Sequence, residues 1–277
     1  MKHSTLLLTL FFTSTFFAQS PWTQEKGRFF TNLSFSTISG YNTLFGDPNY
    51  NTERTISDRT FQLYGEYGLS EKTSLLFSIP LKSIETGAPT AGTNFVPITT
   101  ANSETSFGNI NLGIKHNFYN DGWVLSGQFN VDANTGKYDA ASGIRTGYDA
   151  WSFTPLFLAG KSFGKNYFQS FIGADIRTND YSSNFKIGGE LGRKITQNIW
   201  LIGFVDVSKS FNNGNVILPQ ENILTGLYVN NQEYAAYGLK GILEFSDFGV
   251  TASFGSAFSG NNVPQKTAFS FGIFNRF

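Results

Sequence analysis

Histidine and cysteine, the residues that most often carry catalysis and metal binding, are almost absent from this chain. The sequence holds two histidines and no cysteine. His3 lies in the amino-terminal leader described below, and His116 is followed by Asn117, Phe118 and Tyr119, none of which is a nucleophile that a histidine base could activate. No glycine-rich phosphate loop and no cluster of metal ligands is present in the sequence. We therefore predict a protein without enzymatic activity, cofactor or bound metal.

Charged residues instead recur on the polar side of segments that alternate between apolar and polar side chains. Positive and negative charges among them nearly balance, which argues against strong ion selectivity because selective pores use rings of one sign. They are predicted to point into the lumen of a barrel, either lining it or simply pairing to rigidify a wet interior. These lumen candidates are Glu66, Lys82, Lys115, Asp132, Asp175, Arg177, Lys186, Glu190, Asp206, Lys240 and Glu244.

One long connection, from Asn215 to Asn230, is unusually apolar. Apolar surface of this extent is costly in water unless it packs against something. We predict that it folds into the mouth of the barrel as a gate or lines a pocket for an apolar solute, while an extension of the two flanking strands remains an equal alternative. The gate candidates are Val216, Ile217, Leu218, Ile223, Leu224, Leu227 and Tyr228.

The amino terminus has the pattern of a secretory leader. A positive start is followed by a short apolar run and ends at Phe16, Phe17 and Ala18. The run is too short, and too interrupted by Thr and Ser, to span a bilayer as a helix. We predict a signal peptide over residues 1–18 and a barrel over residues 19–277.

The composition fits a membrane barrel better than a soluble domain. The chain is 40% hydrophobic and only 14% charged, yet no window forms a transmembrane helix. Strands that alternate lipid-facing and lumen-facing residues resolve this conflict, and the abundant Phe, Tyr and Trp suit a lipid-facing band with interfacial girdles. The formal net charge is zero, so nothing indicates a nucleic-acid partner.

A rhythm of alternating segments predicts an all-β, antiparallel, up-and-down transmembrane barrel of about twelve strands. Long connections alternate with short turns, and an even strand count places both termini on the periplasmic side, with the short turns there and the long loops outside. A soluble β-sandwich also alternates, but it gives no reason for this rhythm of long and short loops. Residues 19–27 precede the first strand and are expected to be too few for a plug.

The end of the chain resembles the carboxyl-terminal signature of bacterial outer-membrane barrels. Phe269, Phe271, Ile273 and the terminal Phe277 share one face of the last strand. The resemblance implies that the barrel-assembly machinery recognises this strand, that the protein sits in the outer membrane of a Gram-negative bacterium, and that lipid surrounds it.

The middle of the chain resembles the outer-membrane transporter family named for the meta-pathway of phenol degradation. The matching segments are Tyr67 to Leu75, Ser78 to Pro80, and Phe107 to Lys115, with Asn109 where the family has Asp. This resemblance implies a channel for passive passage of small solutes, apolar or aromatic ones included, through a loop-gated lumen. The alternative is a non-conducting barrel that anchors an envelope complex or stabilises the membrane.

The terminal residue, Phe277, is expected to act in assembly of the barrel. Replacing Phe277 by Ala should lower the amount of folded barrel in the outer membrane, because the last strand loses its recognition residue, while barrels that do assemble keep their transport. Heat-dependent electrophoretic mobility of outer-membrane fractions measures the folded amount, and wild-type yields from the variant would contradict the prediction.

Overall fold

The protein folds into one closed antiparallel β-barrel of twelve strands, as predicted from the sequence. The computed structural model describes residues 19–89 and 100–277, so the predicted signal peptide lies outside the described residues and stays a prediction. The strands of the barrel are β1 (Phe29–Leu44), β2 (Tyr50–Ser70), β3 (Thr73–Thr86), β5 (Ile110–Asp121), β6 (Trp123–Ala133), β9 (Ser152–Phe163), β10 (Asn166–Arg177), β11 (Asn184–Lys194), β12 (Ile199–Ser210), β13 (Glu233–Glu244), β14 (Phe248–Asn261) and β15 (Ala268–Arg276).

Among the described residues, three further short strands and one helical turn lie outside the twelve barrel strands. β4 (Asn102–Phe107) pairs with the end of β3, β7 (Tyr138–Asp139) and β8 (Ile144–Arg145) form a small hairpin in the loop before β9, and α1 (Gln220–Ile223) lies between β12 and β13. No helix among the described residues has the length and apolar character to cross a membrane.

The first and last strands close the barrel. β1 pairs with β15 from Phe30 opposite Arg276 to Thr37 opposite Phe269. The backbone of Phe277 continues this pairing, since its N–H donates to the Phe29 carbonyl at 2.8 Å and its carbonyl accepts from the Phe29 N–H at 3.2 Å. Closure leaves no unpaired strand edge in the hydrocarbon, where an unpaired peptide group would be costly.

Side chains alternate across the barrel wall as the sequence pattern predicts. Apolar residues on the outer phase are exposed, whereas their neighbours in the chain are buried inside; His116 is one of the exposed residues. The four residues predicted to signal assembly lie on this outer surface. Their exposed fractions are 50% for Phe269, 57% for Phe271, 61% for Ile273 and 59% for Phe277.

The predicted fourth strand, 106–118, is in fact broken in two at Gly108 and Asn109. β3 pairs with β5 through Thr73 to Ser78 and with β4 through Leu81 to Thr86. The Asn109 side chain fills the break, because its amide donates to the carbonyls of Ala133 at 2.8 Å and Tyr148 at 2.9 Å. A side chain therefore satisfies backbone carbonyls where the regular ladder stops.

The two ends of the barrel differ. One end, called here the turn end, holds both barrel termini and the short turns, such as those at 71–72 and 164–165; the other, the loop end, holds the longer connections. The predicted loop 83–104 is shorter than expected, since β3 runs to Thr86 and β4 begins at Asn102. The predicted loop 133–147 contains the β7–β8 hairpin. Strand β9, predicted to begin at residue 148, begins at Ser152.

The segment before β1 enters the barrel from the turn end, so the expectation that residues 19–27 are too few for a plug is wrong. Ser126 Oγ donates to the Pro21 carbonyl at 2.5 Å, and the Gln24 N–H donates to Ser74 Oγ at 2.9 Å. The Trp22 ring meets the edge of the Tyr167 ring at 6.2 Å between centroids. We call residues 19–26 the plug segment.

A glycine in the wall makes room for the plug segment. A Cβ atom added at Gly160 would lie 2.6 Å from Pro21 Cγ and 2.7 Å from the Trp22 ring, closer than any real contact. We expect Gly160→Leu to displace the plug segment and expose Trp22 to chymotrypsin in the folded barrel. Gly203→Leu is the matched control, because the nearest atom to its added Cβ is 3.8 Å away. Equal resistance of both variants to cleavage would contradict this packing.

Candidate functional site

The interior of the barrel is organised in layers, beginning with an aromatic layer at the turn end. Its side chains come from strands around much of the wall and pack with Trp22 of the plug segment. Large side chains and the plug segment therefore share the lumen at the turn end. The buried members are Phe30, Tyr64, Leu76, Tyr167, Trp200, Ile202, Ile242 and Phe274.

Two buried ion pairs of the same design lie beside the aromatic layer. Lys115 Nζ lies 2.8 Å and 3.0 Å from the two carboxylate oxygens of Glu66, and the Tyr64 hydroxyl donates to the same carboxylate at 3.2 Å. On another part of the wall, Lys240 Nζ lies 2.8 Å from Glu190, and the Tyr167 hydroxyl donates to that carboxylate at 2.6 Å. The side chains of both lysines are fully buried, so each charge depends on its partner.

All but one of the other charged lumen candidates have a hydrogen-bond or ion-pair partner; the exception among the described residues is Lys186, which interacts electrostatically with Asp206. Asp175 binds Arg177, Lys82 Nζ lies 2.7 Å from Asp58, and Glu244 lies 2.8 Å from Arg276. Asp132 accepts a hydrogen bond from Asn111 at 3.0 Å, Asp206 accepts one from Tyr234 at 3.2 Å, and Lys186 is half-buried. Sequence reasoning identified the polar phase but not Asp58 and Arg276, whose roles as partners depend on contacts between distant parts of the chain.

The connection between β12 and β13, residues 211–232, packs at the loop end. No strand lies within it, so the alternative that it extends β12 and β13 is wrong. Leu227 is buried in a cluster of side chains from the wall and the β7–β8 hairpin. Its other buried members are Tyr41, Leu44, Ile56, Ile84 and Ile144.

Tyr228 lies at the centre of the contacts across the mouth. Its ring is 5.6 Å from Lys82 Nζ and meets the Tyr148 ring edge-on at 5.2 Å between centroids. Tyr148 in turn stacks under the Arg177 guanidinium at 4.1 Å and donates to Gln232 at 2.7 Å. Tyr228 has φ of 52°, a left-handed conformation that bulky residues adopt only when their surroundings hold them.

The other gate candidates do not share this position. Val216, Leu218 and Leu224 are half-buried, whereas Ile217 is 96% exposed and Ile223 is 46% exposed. Of the predicted set, the structure therefore brings only Leu227 and Tyr228 into the closely packed mouth.

Asn222 anchors the same connection, although nothing in the sequence marks it out. It is fully buried, accepts from Arg145 Nε at 3.2 Å, and donates to the carbonyls of Gly143 at 3.3 Å and Leu227 at 2.9 Å. These bonds tie the mouth to the β7–β8 hairpin.

In that hairpin, hydrogen bonds from Ser142 and Asn102 lower the pKa of Asp139, which favours the ionised carboxylate.

The lumen holds a cavity of about 400 Å³. It lies along the half of the wall formed by β12 to β15, β1 and β2, where the inward side chains are mostly small. The opposite half carries the larger buried side chains, among them Leu156, Leu158 and Phe171. The cavity is therefore the place where the lumen can hold a solute.

His116 lies apart from all these contacts. It is exposed on the outer wall, its Nδ1 lies 2.9 Å from Thr73 Oγ1, and its ring packs near Phe118. Among the described residues, no three His, Cys, Asp or Glu side chains come close enough to hold a metal ion.

Known structures share this fold. The COG4313 outer membrane channel from Pseudomonas putida F1 superposes with a TM-score of 0.71 at 12% identity, over 92% of this chain and 97% of that one. The KdgM porin matches with a TM-score of 0.54 at 6% identity, over 90% and 99% of the two chains. The translocator domain of the autotransporter NalP from Neisseria meningitidis matches at 0.55 and 12% identity, over 92% and 90%.

The chain has the fold of outer-membrane barrels. Its exposed apolar belt fits the bilayer of the Gram-negative outer membrane. No protein-family model and no curated protein sequence matches the chain.

The buried ion pairs give a prediction about stability. Lys115→Met should destabilise the barrel by about 3–5 kcal/mol, because it leaves the Glu66 carboxylate buried without its counter-charge. The double variant Glu66→Leu with Lys115→Met should be near wild type or more stable. Urea titration of the barrel in lipid vesicles measures the free energy of unfolding. A double variant as unstable as the single one would contradict this account.

Proposed function

We propose that the protein is a passive channel of the Gram-negative outer membrane for small solutes, and that the observed state is closed at both ends. The observation that supports this most is the arrangement of the closures around the cavity. The plug segment closes the turn end and residues 211–232 close the loop end. Apart from the peptide bonds that join them to β1, β12 and β13, hydrogen bonds and packing hold them in place. Segments held in this way can move aside without unfolding a strand.

Likeness of fold to a channel and a porin supports the proposal. The same fold also occurs in an autotransporter translocator domain. The fold alone therefore does not distinguish a channel from a translocator, and the channel function is supported mainly by the cavity and the segments at its two ends. The expectation of apolar or aromatic solutes remains what the sequence resemblance implies.

We also propose that the protein has no enzymatic activity. His116 is exposed on the outer wall beside Thr73, away from the lumen. The carboxylates of Glu66 and Glu190 each bind a lysine and a tyrosine, an arrangement that holds both groups in place and fits a structural role. We further propose that Phe277 marks the last strand for the barrel-assembly machinery.

A second candidate, a non-conducting barrel that anchors a complex or stabilises the envelope, is favoured by one observation. The aromatic layer at the turn end includes eight buried wall side chains, and these cannot leave the lumen as the plug segment can. If displacement of the plug segment opens no path past them, this second function is the correct one.

Single-channel recording in planar bilayers separates the two candidates. Deletion of residues 215–230 should raise the conductance severalfold, because it removes Tyr228 and Leu227 from the mouth. Ile217→Ser is the matched control in the same loop and should leave the conductance unchanged, since Ile217 is 96% exposed. Absence of current from the wild type, the deletion and Gly160→Leu would overturn the channel and favour the non-conducting barrel.

A further inference from the structure

The lumenal cavity has a lining rich in hydroxyl groups. Each serine hydroxyl can donate one hydrogen bond and accept others, and these come from both sides of the seam where β1 meets β15. Small side chains at Ala236, Gly255 and Ala268 leave room between them. The serines that line the cavity are Ser34, Ser36, Ser253, Ser256 and Ser270.

Asp206 is the polar group that most needs a partner in this cavity. It is only 4% exposed and lines the cavity with Tyr234, whose hydroxyl donates to Oδ2 at 3.2 Å. Among the described residues, none donates a hydrogen bond to its buried Oδ1. Because Asp206 lines the cavity, its carboxylate is a charged acceptor there, and an occupant that donates a hydrogen bond is favoured over a purely apolar one.

The surrounding charges favour an uncharged occupant. Lys186 interacts electrostatically with Asp206, and Lys266 lines the cavity as a second positive group. Charges of both signs therefore line the cavity, so a cation would meet Lys266 and an anion would meet the Asp206 carboxylate. Phe204 and Pro264 add apolar surface, against which the carbon side of a hydroxylated molecule can pack.

We propose that this cavity binds small, uncharged solutes that carry several hydroxyl groups, of the polyol and monosaccharide class. The inference rests on the proposed channel function for the route by which a solute enters, and it narrows the solute class beyond what the fold implies. It differs from the apolar or aromatic solutes implied by the sequence resemblance.

Saturation-transfer NMR on the folded barrel in detergent micelles tests binding without requiring ion current. Xylitol and D-glucose are the probes. Toluene and triethylene glycol dimethyl ether, which donate no hydrogen bonds, are the comparison solutes. We expect saturable signals from xylitol or glucose and weaker binding of both comparison solutes. Tighter binding of toluene, or no saturable signal from either hydroxylated probe, would overturn the proposal.

Variants of the lining locate the site. Asp206→Leu should weaken binding of the hydroxylated probe by about tenfold or more, because a hydrogen bond to a charged acceptor is lost. Ser253→Ala combined with Ser270→Ala should also weaken it while keeping Asp206. Ser259→Ala, an exposed serine of the same strand β14 outside the cavity, should bind as wild type does. Unchanged affinity in both lining variants would place the solute elsewhere and overturn the proposal.

The binding experiment tests the solute class and the conductance experiment tests the channel, so either proposal can be refuted without the other. Ion current without binding of the hydroxylated probes would refute the solute class and leave the channel standing. Binding without any current would support the cavity as a site and refute the channel.

Discussion

Hydrocarbon offers no hydrogen-bond partner to a peptide group, so a sheet that crosses a bilayer has to close on itself. Here the closing contact is β1 with β15, continued by the mutual backbone bonds of Phe29 and Phe277. Closure gives every strand an outer face in lipid and an inner face in a confined lumen. The alternation of the sequence, the exposed apolar belt and the crowded polar interior all follow from it.

Once the barrel is closed, the charges inside have to find partners within a narrow space. The lysines of the Lys115 and Lys240 pairs are fully buried, and a tyrosine hydroxyl binds the carboxylate of each pair. The space that remains lies along the wall of small side chains, between the plug segment and Tyr228. The same closure that satisfies the backbone thus produces a compartment between the plug segment and residues 211–232.

Much of this fold is predictable from the sequence because side chains in a strand alternate with a period of two. That period gave the strand number, and β11 matches the predicted 184–194 at both ends. The same alternation also indicates which side chains point into the lumen, and it predicts Glu66 and Lys240 among them. In strand β12, apolar on both phases, the predicted lumen residue Asp206 is buried inside, and Trp200 is buried on the same phase.

Contacts between distant segments could not be read in the same way. The plug segment is short and unremarkable in sequence, and its position depends on space at Gly160 in β9. Asn222 and Tyr148 act through bonds that exist only after the loops have met. The break at Asn109 likewise depends on carbonyls of Ala133 and Tyr148. Local periodicity specifies the wall, whereas the closures of the lumen are tertiary.

The central claim is that the plug segment moves to open the channel, and a disulfide trap tests it most directly. The chain has no native cysteine. The Ser126 side chain already contacts the Pro21 carbonyl, at 2.5 Å from its Oγ, so Pro21→Cys and Ser126→Cys are the positions for a disulfide. In planar bilayers, the oxidised double variant should carry little current, and adding a reductant should raise it to that of the single variants. Equal current before and after reduction, or none in either state, would contradict the account.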